Sequence, residues 1–322
     1  MNRWRWIVLL AGPLPILAGS WLVAHWARPS DLPLVASNVL RFSPGLRTDG
    51  SEADSQRARG AKLASEQLAA ACASERKLLA ARLGGGGTLS RPPFVLGGDL
   101  PSAELLVWYE RTIRPTAVAL QHAYFDAAID RPITLLLFSS ELSYNHYAWE
   151  LFGDEGISIF GYYKPDLRTA VVNVATGGGT LLHELTHALA AFDFPDMPDW
   201  LNEGLASLHE EARVASGGAT IEGLVNWRLD VLREAIDARE LGSLHELVAG
   251  GEFRGPQEAI HYAQARYFCM YLQRRGRLAS FYRRFRAAQG DDPTGAIALQ
   301  RELDSSWQEL DFAFREWVAG LD

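Results

Sequence analysis

The chain has 322 residues, 48% of them hydrophobic and 22% charged, with a net charge of -8. That is ample material for an enzyme-sized core, and the mildly acidic balance lacks the basic stripe a polyphosphate partner requires, so no nucleic acid is expected as a ligand. Cys72 and Cys269 are too sparse for a zinc-thiolate site and leave open either a disulfide or two buried thiols.

Arg3 and Arg5 precede an apolar run over residues 7–26 that holds no Asp, Glu, Lys or Arg. About 20 such residues span a bilayer, and the two arginines would keep the N-terminus cytoplasmic. Residues 1–27 are therefore expected to form an N-terminal membrane anchor or signal peptide, with the rest exported to the periplasmic or extracytoplasmic face. No clean A-x-A site closes the run, which favours an uncleaved anchor. Residues 28–91 read as a linker, rich in Pro, Ser, Gly and Asp, followed by a helix over 56–83 that Gly84 to Gly87 stop.

Residues 92–322 form the expected globular domain. Residues 94–96 read as a short strand, 101–128 as a long helix, 133–138 (ITLLLF) as an unbroken apolar strand and 141–152 as a short helix. The stretch ISIFGYYKPDLRTAVVNV reads as a hairpin turning over 164–168, and almost everything from Thr180 onward is helical. Strands early and helices late give an α+β class: a small N-terminal mixed β-sheet with helices, followed by a mostly helical half.

The chemistry concentrates in TLLHELTHAL, residues 180–189. On a helix His183 and His187 lie one turn apart on nearly the same side, so both imidazoles can reach one ion. Leu182, Leu185 and Leu189 would form the stripe that packs on a core. Glu184 sits beside the ligand face, close enough to take a proton from a metal-held water; that division of labour is the logic of H-E-x-x-H. A third ligand is needed, and Glu203 supplies one. The intervening Pro195 and Pro198 should end the first helix, and WLNEGLASLHEEAR resumes helical spacing, so the second helix can return Glu203 to the histidines. His, His and Glu with one open position for water is a catalytic zinc set. Gly204 inside that helix costs about 1 kcal/mol against Ala, which a close approach to the site or to a neighbouring helix would explain. His122, His146, His209 and His245 have no ligand spacing to another His or Cys.

Together the two motifs resemble those of the gluzincin metallopeptidases, in which a Glu ligand on the next helix follows H-E-x-x-H. WLNEGLA is similar to the second motif of the aminopeptidase N group, and the order of elements over about residues 92–320 is similar to the peptidase MA-like domains of exported bacterial proteins. The resemblance implies a thermolysin-like helical half, one Zn2+ per chain on His183, His187 and Glu203, and Glu184 as general base. It also implies that Tyr262, in HYAQARYFCMYL, stabilises the oxyanion of the reaction. Tyr267 and Tyr271 on the same helix read as core aromatics.

Two departures bear on specificity and support. The G-x-M-E-N anchor of the aminopeptidase N group is missing; the corresponding AVVNVATGGG, expected as a sheet edge to which an extended peptide could add, has no carboxylate for a free α-amine. Ser207 stands where thermolysin-like enzymes carry an Asp, which leaves Glu210 or a backbone carbonyl to orient a ligand histidine. The expected function is a membrane-tethered zinc peptidase acting on peptides or proteins. The alternatives are a membrane-tethered binding or scaffolding module with structural or vestigial zinc, and hydrolysis of a non-peptide amide or ester.

Overall fold

In the computed structural model, residues 52–215, 220–250 and 253–322 are described, with side chains from residue 60 onward. The expected anchor at 1–27 and nearly all of the linker lie outside the described residues. Among those described, no helix is long and apolar enough to cross a membrane.

The fold is α+β, and its contacts divide it into two compact units. The first comprises the described residues up to Pro115 together with Ala127–Ala188, and the second Thr116–Asp126 together with Leu189–Asp322.

The first unit is built on a five-stranded sheet. Helix α1 (Glu52–Arg82) ends where Gly84 and Gly85 take up positive φ, 59° and 115°. Then come β1 (Thr88–Arg91), β2 (Phe94–Gly98), α2 (Ser102–Trp108), a π-turn (Tyr109–Ile113) and α3 (Arg114–Ala123), which from Thr116 on belongs to the second unit, followed by β3 (Ile133–Phe138), α4 (Glu141–Phe152), β4 (Gly161–Lys164) and β5 (Thr169–Asn173). The strand order is β1-β2-β3-β5-β4, with parallel pairs in the middle and antiparallel pairs at both edges. Leu79 of α1 and Leu83 just after it share one core with Val95, Leu136 and Val171 of the sheet and Tyr144 of α4. Burying each large apolar side chain of this kind contributes about 1.5–3 kcal/mol. A Cβ on Gly97 would meet Leu79 Cδ2 at 2.5 Å, so the absence of a side chain there lets α1 lie directly on β2.

Helix α4 occupies the expected span because both ends are written locally. Ser140 and Ser143 form a reciprocal cap at its start, and Gly153 closes it at φ 70°. The expected helix over 101–128 is instead interrupted by the π-turn and stops at Ala123. Strand β1 has no alternating apolar pattern and was invisible to periodicity; it pairs with β2 through Leu89 opposite Leu96.

One expectation is overturned. AVVNV, expected at a sheet edge, is β5 and lies between β3 and β4. Its residues are all buried, as suits a strand covered on both faces and paired on both sides, and the edge is β4 instead. Tyr162 and Tyr163 of β4 are 2% exposed, whereas Trp149 of α4 and Phe160 just ahead of β4 are 58% and 37% exposed.

Helix α5 (Gly178–Asp193) runs through the boundary between the units. After it come α6 (Asp199–Glu210), a short hairpin of β6 (Ala212–Val214) and β7 (Ile221–Gly223), and α7 (Arg228–Asp237), α8 (Leu244–Ala249), α9 (Glu258–Arg274), α10 (Leu278–Ala288), α11 (Ala296–Leu303) and α12 (Trp307–Ala319). The three-residue strands of the hairpin are too short to carry a periodic signal.

Gly204 explains itself in the second unit. A Cβ there would fall 2.8 Å from the Ala265 carbonyl oxygen and 2.9 Å from Cys269 Sγ, so glycine lets α6 and α9 meet backbone to backbone. Cys72 and Cys269 are separate buried thiols. Gly204→Ala is expected to lower stability by about 1–3 kcal/mol through overpacking, outweighing the helix propensity it gains, as read from the urea midpoint.

Candidate metal centre

Helix α5 begins after Gly177, which adopts φ 109°. Residues 181–190 are all buried, so α5 is enclosed and not amphipathic as the leucine stripe suggested. Within that enclosure the polar side chains must find partners. Thr186 donates to the Leu182 carbonyl at 2.8 Å. His183 and His187, 1% and 2% exposed, turn toward each other with ring centroids 4.7 Å apart and Nε2 atoms 3.0 Å apart.

Five residues separate α5 from α6, which carries the third expected ligand. Donor atoms of His183, His187 and Glu203 all lie within 4.8 Å of one another, and all three residues are buried. The group could hold a metal ion. Its chemistry fits one: two imidazoles bonded to a single ion at about 2.0–2.1 Å in tetrahedral geometry would place their nitrogens about 3.3 Å apart, close to the separation observed.

Glu184, the expected base, is 0% exposed. Burial foremost, and then the Glu184 carboxylate, hold the Tyr144 hydroxyl above the ordinary tyrosine range. Burial also raises Tyr163, with Glu184 as a lesser contributor.

Tyr262 is on α9, as expected, and 1% exposed. Its hydroxyl makes no hydrogen bond of good geometry, and burial foremost, then the Glu203 carboxylate, raise its pKa well above the ordinary value. The structure thus brings Tyr262 to the side of Glu203. Tyr267 donates to the Asn226 carbonyl at 3.0 Å, and Arg275 stacks 3.8 Å over the Tyr271 ring, so both are structural aromatics. Glu210, weighed as support for a ligand histidine, accepts from Arg228 Nη2 at 3.1 Å and Nε at 3.3 Å. Ser207 is fully buried.

Sequence reasoning missed Arg254, whose Nη2 donates to Glu203 Oε1 at 2.7 Å. The available signal was faint: an arginine four residues ahead of Glu258, at the i,i+4 spacing of an ion pair.

On α6, His209 is 0% exposed, and burial foremost, then the Arg266 charge, push its pKa down to about 3. The unfolded chain titrates this group near about pH 6.5. Its contribution to stability is therefore complete above that pH and is lost as pH falls from there toward about 3. By pH 4.5 the loss is expected to reach about 2–3 kcal/mol. His209→Met, which fills similar volume without a titrating ring, should flatten the decline in urea midpoint between pH 6.5 and 4.5.

Comparison with protein-family models and with curated proteins gives no match for this chain.

Proposed function

We propose that this chain is a zinc-dependent peptidase of the gluzincin kind, exported and tethered by its N-terminal segment, that hydrolyses peptides or proteins. The observation that carries the reading is the approach of His183, His187 and Glu203 to within 4.8 Å of one another, with a second carboxylate one residue after the first histidine. A closed structural site would use a fourth protein ligand and would give Glu184 no task.

Zinc held by these residues would supply Lewis acidity toward the scissile carbonyl and a water acidified to about pKa 7. Glu184, about 100° around α5 from His183, would be the group that receives a proton from the attacking water and passes it to the departing amine nitrogen. Tyr262, whose raised pKa keeps its proton in place across the working range, would be the donor to a developing oxyanion. Enclosure of the ligands limits competing water and strengthens these charge interactions. Strand β5, paired on both sides, offers no sheet edge to an extended peptide, and the residues of the edge strand β4 are all buried.

The test is metal analysis of the full-length chain, purified without chelators, and of its Glu184→Gln variant, with both assayed on a mixed peptide library. Zinc in both proteins and cleavage by the unmodified one alone supports the peptidase. Zinc in both without cleavage by either supports a binding module. No zinc in the unmodified chain, even after resupply, rejects both.

A further inference from the structure

Arg254 sits between two glycines of positive φ, Gly250 at 82° and Gly255 at 143°, just ahead of α9. Its Nη2 donates to Glu203 Oε1 at 2.7 Å, while Nη1 lies 3.6 Å from Glu258 Oε1. The neighbouring residue fastens this short segment to α9: the Phe253 carbonyl bonds His261 Nδ1 at 2.9 Å, and the Phe253 ring meets Tyr262 edge-on at 5.2 Å. Arg254 is therefore a braced group, although its side chain remains 30% exposed.

The bracing bears on what the Glu203 carboxylate can do. The terminal torsion of a glutamate is soft, so a carboxylate facing a cation can offer one oxygen or both. Ligation by both would crowd the position that solvent needs in a catalytic site. A guanidinium N–H on Oε1 removes that freedom by claiming one oxygen in a fixed direction. A positive group so near a cation would also repel it, and Glu258 offsets that charge.

We propose that Arg254 is a positioning residue that locks the Glu203 carboxylate so that it meets a divalent cation through one oxygen, with Glu258 compensating the charge. The inference rests on the metal centre proposed above and adds how the solvent position is kept open.

Cobalt(II) is the probe, titrated into the metal-stripped full-length chain and followed by visible absorption, which distinguishes four-coordinate from higher-coordinate cobalt. The unmodified chain is expected to bind one cobalt with the intense bands of four-coordination. Arg254→Met should bind it about 10–100-fold more weakly and show the weaker bands of higher coordination. Arg254→Lys keeps the charge and loses the rigid fork, so it should recover part of the affinity and not the spectrum. Glu258→Gln should weaken binding while keeping the unmodified spectrum. Urea midpoints of the metal-free proteins separate these effects from loss of fold; if Arg254→Met does not fold, Arg254→Lys carries the test. Affinity and spectrum unchanged in the folded arginine variants would overturn the inference while leaving the metal centre intact. No cobalt binding by the unmodified chain would overturn both.

Discussion

Glu184→Gln is expected to cut peptide hydrolysis about a thousand-fold while leaving one zinc per chain. The magnitude is that of removing a general base, about 100- to 10,000-fold, which corresponds to roughly 3–5 kcal/mol in the barrier. The carboxamide has the shape of the carboxylate and lacks its basicity. Glu184 is 0% exposed, so the near-identical shape and volume of the carboxamide should keep the fold intact. Retained zinc, a retained cooperative melt and lost turnover form the signature of a base. A parallel loss of fold and activity would make Glu184 a structural residue.

Glu203→Ala is expected to act on the metal itself. Outer partners of metal ligands account for about 10–100-fold in affinity, and a ligand should account for more. In the unmodified chain, zinc at about a thousand times its dissociation constant should stabilise the fold by roughly 4 kcal/mol. The same zinc should shift the Glu203→Ala melting temperature little. The substitution also takes from Arg254 its 2.7 Å acceptor and leaves it Glu258, so a modest metal-independent loss is expected besides. Calorimetric melts with and without zinc separate the two.

What the residues revealed in advance follows from where their information lies. Helix α4 and strand β3 were legible to the residue because a serine cap, a closing glycine and an unbroken apolar run are local signals. His183, His187 and Glu203 were legible because one helical turn and one helix reversal, each marked by spacing and prolines, are enough to bring them together. Gly204 was legible as an anomaly, a glycine inside a helix, although its partners Ala265 and Cys269 were not.

The misses are long-range. Which strand ends the sheet depends on which neighbour takes β5's second side, and nothing within AVVNV records that β3 does. The enclosure of α5 on all sides was hidden because its histidines and glutamate read as a polar face; their burial depends on what packs there. Arg254 escaped because its acceptor lies 51 residues away in sequence, and no periodicity spans that distance.

The central claim, that three side chains hold one cation with a position left for solvent, is tested most directly by zinc X-ray absorption on the full-length chain purified without chelators and resupplied with zinc. The prediction is one zinc per chain with four nitrogen and oxygen neighbours at about 2.0–2.2 Å, two of them showing the outer-shell scattering of imidazole. Absence of zinc, a sulfur neighbour, or a spectrum without two imidazoles would contradict it.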